Sequence, residues 1–277
     1  MMKNRLIQLI EQQGIVTAPG VFDGISTRLV EDAGFSAVYA SGGAIARSTG
    51  VPDIGLLSLI EVVERIRQIV AATTLPVIAD ADTGFGELIN VKRTVQLFAQ
   101  AGVSALHLED QQFPKRCGHL EGKSLVSRDD MCKKIAVAKK YAADMLVIGR
   151  TDAIAVSGFA DAIDRARAYV DSGADMIFVE APESLAQIEQ IATQVPGPKL
   201  INMFHSGKTP LVSTKDLQQM GYQLIIIPSD LQRAAIAGMQ NVLAEILCSG
   251  HSGALSAEIC SFSEREQIVN TAAFLKP

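Results

Sequence analysis

The chain has 277 residues, 48% of them hydrophobic and 20% charged, with a formal net charge of −5; that supplies one large core but no basic face for nucleic acid or an anionic membrane. The N-terminal MMKNRLIQLIEQQG lacks the apolar stretch of a secretory leader, and no apolar run approaches the roughly 20 residues of a membrane span, so a soluble, cytoplasmic protein is expected. No Pro-, Gly- or Ser-rich seam breaks the composition, and residues 1–277 read as a single domain.

From the N-terminus, short β-rich runs recur at IVTAPG (15–20), AVYASG (37–42), LPVIADAD (75–82), ALHLED (105–110), LVIGRTD (146–152), MIFVEA (176–181), KLINMF (199–204) and QLIIIPS (223–229). Amphipathic stretches separate them, among them FDGISTRLVEDAGF, SLIEVVERIRQIVAAT, NVKRTVQLFAQAGV and FADAIDRARAYVDSGAD, with apolar residues three and four apart. Regular alternation implies parallel strands joined by right-handed crossovers. Eight such units predict an α/β fold, a single (β/α)8 TIM-type barrel with a C-terminal helical extension. The rival open, doubly wound sheet would carry a glycine-rich phosphate turn after its first strand, and APGVFDG is not one. GHLEGKS has three residues between its glycines where a nucleotide-binding loop needs four. The tail AAIAGMQNVLAEILCSG fits either the barrel's own eighth helix or a helix packed on a neighbouring copy.

In such a barrel the chemistry sits at the carboxyl ends of the strands. Those ends carry Ser41, Gly42 and Gly43; Asp80 and Asp82; Glu109 and Asp110; Arg150, Thr151 and Asp152; Glu180; Asn202; and, past the last strand, Arg233. A folding core has no use for so many charges. Asp80 and Asp82 lie two apart in DADTGFG, so on an extended strand both carboxylates face one side and converge on one ion. Their hard oxygens suit Mg2+ or Mn2+, with Asp53 and Glu109 as partners through water; without an ion, the same acids would cap the next helix. Ser41-Gly42-Gly43 offers unobstructed backbone N–H groups to a carboxylate or phosphonate oxygen, or is simply a turn. Arg150 is suited to a two-pronged grip on a carboxylate, or to pairing with Glu180 or Asp152.

After the fourth strand comes QQFPKRCGHLEGK, where Cys117 stands beside Lys115, Arg116 and His119. Such a neighbourhood favours a thiolate, and Gly118 lets a loop above the barrel move. A thiol there can give a proton to a carbon acid or take one from it. The four cysteines show no CxxC spacing and are expected to be reduced, with Cys132, Cys248 and Cys260 only packing. No cue ties His107, His205 or His251 to Cys117.

These elements in this order, SGG, PDIG, DADTGFG, LEDQ, KRCGH, GRTDA, FVEA and NMFHSGKTP, resemble the isocitrate lyase and phosphoenolpyruvate mutase superfamily over nearly the whole chain, at the length of its short bacterial members. The resemblance implies a Mg2+-dependent single catalytic barrel domain over 1–277, and a homotetramer built from dimers that exchange their last helix. It implies reactions through an enolate of an oxo or carboxylic acid. By position, Asp80 and Asp82 would hold the metal, supported by Asp53 and Glu109. Ser41, Gly42 and Gly43 would take the substrate carboxylate, with Gly118, Arg150, Glu180, Asn202 and Arg233 completing the pocket. Cys117 would protonate the enolate of the departing acid, with Lys115, Arg116 and His119 tuning the thiol and stabilising the anion.

The expected reaction is retro-aldol cleavage of a small 2-hydroxy di- or tricarboxylate to pyruvate or glyoxylate plus a second acid. Alternatives are oxaloacetate or phosphonate chemistry in the same pocket and, from another class, a non-catalytic carboxylate-binding barrel. One departure bears on the substrate: relatives carry an acid where this chain has His205, and Phe204 with His205 is expected to narrow the pocket.

Overall fold

The computed structural model describes residues 4–118 and 120–276. Eight parallel strands, β1 (Val16–Val21), β2 (Val38–Ala40), β3 (Val77–Asp80), β4 (Ala105–Glu109), β5 (Leu146–Thr151), β6 (Met176–Val179), β7 (Lys199–Asn202) and β8 (Leu224–Ile227), close in sequence order into one barrel. This is the predicted (β/α)8 architecture. The strands read as continuous apolar runs because helices cover their outer faces while side chains fill the interior.

Each run becomes a helix or a strand for local reasons. Helix α4 (Leu59–Ala71), for example, starts at a capping box in which Ser58 and Glu61 satisfy each other's backbone N–H groups, and it buries Val62, Val63, Ile66 and Ile69 on one face. At the amino-terminal end of the barrel, α1 (Arg5–Gln13) acts as a plug. Its Leu6 is fully buried in the interior cluster, and Asn4 donates to the Ser104 and Asp144 carbonyls, which precede β4 and β5.

The interior is layered by the two-residue strand period. Tyr39, Ile78, Ile148, Phe178, Leu200 and Ile226 point into the barrel. Two residues further along the same strands come Ser41, Asp80, Arg150, Glu180, Asn202 and Pro228, all lining a cavity at the carboxyl end. Register adds neighbours across strands, pairing Asp80 with His107 and Glu109 with Arg150.

Several expectations need correction. Strand β3 ends at Asp80, and Asp82 has φ 46°, so an extended strand is not what brings the two acids together. Ser41-Gly42-Gly43 is a helix start: Ser41 caps α3 (Gly42–Ser48) by accepting from the Ala44 N–H. No disulfide forms among the described residues, and Cys132 packs against the core, but Cys248 and Cys260 are exposed. Helix α10 (Asp230–Ser249) follows β8 as the eighth barrel helix, yet only Gln232 along it is buried.

Candidate active site

The mouth of the barrel holds a cavity of about 340 Å³. Ser41, Gly43, Asp53, Asp80, Lys115, Cys117, Gly118, Arg150, Glu180, Asn202 and Arg233 line it. Asp82 and Glu109 stand just behind, joined to lining residues by ion pairs with Lys115 and Arg150. Of the expected groups, Arg116 faces away: it is exposed, and its guanidinium donates to the Glu121 carbonyl at 2.8 Å. His119 lies outside the described residues.

On one side the Lys115 ammonium, 4% exposed, pairs with Asp53 and, at 2.8 Å, with Asp82. The backbone N–H of Cys117 donates to the Asp53 carbonyl at 3.2 Å, which seats the thiol-bearing segment against the loop after α3. The glycines of that helix start are required by close approach: a Cβ on Gly42 would meet Asp80 Oδ2 at 2.7 Å, and one on Gly43 would meet Asp53 Oδ2 at 2.8 Å.

On the other side Arg150 is committed within the protein. Its Nε and Nη2 donate to Asp152 at 2.9 and 3.1 Å, and Nη1 lies 3.1 Å from Glu109. The two-pronged face is therefore turned to Asp152, one of the two pairings the sequence left open. Asn202 donates to Glu180 at 3.4 Å, while its Oδ1 is buried with no hydrogen-bond partner among the described residues.

Seven carboxylates, of Asp53, Asp80, Asp82, Glu109, Asp110, Asp152 and Glu180, share this end with four cationic side chains that are mostly buried, Lys115, Lys123, Arg150 and Arg165. The imbalance appears in their acidities. Burial opposes ionisation of Asp80, but His107, Lys115 and Arg150 outweigh it and bring the carboxyl to about 2. Asp82 is pushed up to about 6, by burial first and then by Asp80 and Asp53, against the pull of Lys115. Burial drives Glu109 well above the ordinary carboxylate range even with Arg150 beside it. Burial also brings His107 down to about 4, so its ring is neutral near pH 7; it lies 2.8 Å from the Tyr39 hydroxyl and 3.6 Å from Asp80.

Surplus negative charge on hard oxygens fits a divalent cation. Among the described residues no group of three or more His, Cys, Asp or Glu is placed to hold an ion alone. Mg2+ takes one or two protein carboxylates and keeps water for its other positions, and the carboxylates of Asp80 and Asp82 have the hard oxygens such an ion prefers.

Phe204 and Ser206 line the cavity, whereas the exposed His205 turns its ring to the Ser206 hydroxyl, at 2.8 Å. Of the Phe204-His205 pair, Phe204 lines the cavity and His205 does not. Sequence reading overlooked Tyr39, Arg47, Phe178, Gln232 and Lys123. Tyr39 and Phe178 were within reach, because each lies two residues before a recognised strand-end group. Lys123 was not, since nothing local points it at β5.

A parallel barrel that gathers acids, a lysine, an arginine and a thiol at one mouth has the layout of an enzyme. Residues 6–247 match the phosphoenolpyruvate phosphomutase family. Against a 2-methylisocitrate lyase of Aeropyrum pernix the chain is 45% identical over 245 residues, 88% of this chain and 80% of that protein. The crystal structure of a 2,3-dimethylmalate lyase superposes with a TM-score of 0.92 at 34% identity, covering 100% of this chain and 94% of the other. A phosphonopyruvate hydrolase in complex with oxalate and Mg2+ gives 0.88 at 29% identity, covering 99% and 97%. The chain belongs to the phosphoenolpyruvate phosphomutase family and is an enzyme of the isocitrate lyase and phosphoenolpyruvate mutase superfamily.

Proposed function

We propose that this enzyme is a carbon–carbon lyase that splits a small 2-hydroxy di- or tricarboxylate, of the 2-methylisocitrate or 2,3-dimethylmalate kind, into pyruvate or glyoxylate and a second carboxylic acid. The observation that carries the reading is Cys117 lining one cavity with Asp80, Arg150, Glu180 and Asn202. The similarity to a 2-methylisocitrate lyase and a 2,3-dimethylmalate lyase supports the same class of substrate.

Asp80 and Asp82 would hold Mg2+, or Mn2+ in its place, with Asp53 and Glu109 behind them; the ion would polarise the oxygens of the nascent oxo acid. The N–H groups at Gly42 and Gly43, with the Ser41 hydroxyl, receive one substrate carboxylate, the Ser41 N–H being held by the Val21 carbonyl at 3.1 Å. Arg150, Glu180 and Asn202 fix the other end, and Arg233, whose side chain is 48% exposed at the rim, meets the incoming anion. Phe178, Phe204, Ile226 and Ile236 add apolar surface to the lining, suited to an alkyl branch. As a carboxylate of the acidic cluster takes the hydroxyl proton and the C–C bond breaks, the electron pair of that bond collects on the departing acid as an enediolate. The Cys117 thiol then delivers a proton to that carbon, without which the fragments would rejoin. Lys115 orients the same segment through Asp53 and Asp82.

No helix among the described residues is long and apolar enough to cross a membrane, in keeping with a cytoplasmic enzyme. The exposed apolar face of α10 supports assembly with further copies into a homotetramer.

The test is a coupled assay for pyruvate and glyoxylate over 2-methylisocitrate, 2,3-dimethylmalate, isocitrate, other alkylmalates, oxaloacetate and phosphonopyruvate, with Mg2+ and with EDTA. The expected outcome is metal-dependent cleavage of a hydroxy acid, with kcat lowered by about 10²- to 10⁴-fold in Cys117→Ser. Turnover confined to oxaloacetate or phosphonopyruvate would overturn the lyase reading.

A further inference from the structure

The loop that bears Cys117 leaves the barrel as an antiparallel stem. Gln111 bridges Leu125, the Gln112 N–H donates to the Ser124 carbonyl at 2.8 Å, and the Val126 N–H donates to the Asp110 carbonyl at 2.9 Å. Beyond the stem, two buried lysines tie the tip to the barrel, and an exposed pair, Glu121 with Lys208 at 2.8 Å, adds a contact past β7. Lys115 ties it toward β3, as described above. On the β5 side the tie is Lys123, whose ammonium donates to the Gly118 carbonyl and, at 3.1 Å, to Asp152. The Lys123 side chain is 2% exposed and that of Asp152 fully buried.

Asp152 is itself a rigid anchor. Its backbone N–H donates to Asp110 at 2.9 Å, and Asp110 also accepts from the Thr151 and Tyr169 hydroxyls at 2.7 Å each. Arg165 pairs with Asp110 at 3.3 Å and donates to the Val126 carbonyl at 3.0 Å, so one buried hub holds both Asp152 and the returning strand of the loop. A buried ammonium fixed at both ends, with one acceptor on the loop backbone and one on the barrel, sets a distance.

We propose that Lys123 is a positioning residue: through Asp152 it latches the Cys117–Gly118 segment onto the mouth of the barrel and so sets where the thiol stands. This rests on Cys117 as the proton donor proposed above. Lys123 is not among the residues that line the cavity, and it reaches the segment through the Gly118 carbonyl. Without the latch the tip keeps its stem and its Lys115 tie but loses its hold on the β5 side.

The test compares the full-length protein with Lys123→Met and Lys123→Arg, reading alkylation of Cys117 by iodoacetamide through peptide mass spectrometry. The half-buried Cys132, packed against the core, is the internal reference. Losing a charge-assisted hydrogen bond should make Cys117 react about tenfold faster in Lys123→Met, with Cys132 unchanged and Lys123→Arg near the parent rate. In turnover, kcat should fall with little change in KM. Equal rates at Cys117, or parallel increases at both cysteines, would overturn the latch. If Lys123→Met fails to fold, Lys123→Gln, which keeps a donor but no charge, is judged by the same ratio. Because alkylation needs no substrate, a folded variant with unaltered Cys117 reactivity sinks the latch and leaves the lyase standing. Faster alkylation in a protein whose parent cleaves no hydroxy acid does the reverse.

Discussion

Gly118 condenses the problem the site has to solve. A Cβ there would meet Glu180 Oε1 at 2.5 Å and Arg150 Nη2 at 2.7 Å, and the Arg150 tip is not free to swing, since it is locked on Asp152 and Glu109. Gly118→Ala should therefore leave the fold intact while lifting the loop. A displacement on the scale of an ångström costs about 10²-fold in turnover, so steady-state kinetics should show that loss with a melting temperature close to the parent's. The sequence exposed the kinds of residue at the mouth, because a cysteine among basic groups and acids at strand ends are unusual without a chemical use. It did not reveal that Arg150 turns its fork to Asp152, or that His205 leaves the wall to Phe204, because side-chain direction depends on neighbours brought in from other strands.

At the scale of elements, the helices and strands follow from local pattern. The apolar spacing of α4 and its Ser58–Glu61 box are complete within the segment. Boundaries are less local: β3 stops at Asp80 because the Asp82 N–H turns back to the Asp80 carboxylate at 3.0 Å, a closure that an alternating pattern does not signal. Helix α7 (Phe159–Asp171) supplies Tyr169 and Arg165 to the Asp110 hub, joining it to β4 and β5. Tyr169→Phe removes one of the hydrogen bonds to a buried carboxylate whose acidity burial already weakens. A loss of about 1.5–3 kcal/mol in chemical denaturation is expected, whereas a value within experimental error of the parent would mean that the hub is redundant.

For the whole molecule, α10 is the unfinished part. Met239, Leu243 and Leu247 are 58%, 64% and 90% exposed, and an apolar groove of about 950 Å³ runs between α10 and α2 (Gly24–Asp32), past Ile25, Leu29 and Phe35. Apolar faces of this extent mark interaction sites, and the occupant proposed here is a second copy of the chain. Light scattering should give a multiple of the 29.5 kDa chain mass, reduced by Leu243→Glu with Leu247→Glu; a parent that runs as a monomer would refute the assembly. By itself the sequence determined the eight-fold alternation, the covered strands and the chemical inventory of the mouth, because periods of two and 3.6 residues are written within single segments. Only the closed barrel decided the pairings: Lys115 with Asp53, 62 residues away, Lys123 with Asp152, 29 away, and Tyr169 with Asp110, 59 away. Closure brings the ends of different strands within ion-pairing distance, and no local period encodes which of those ends will meet.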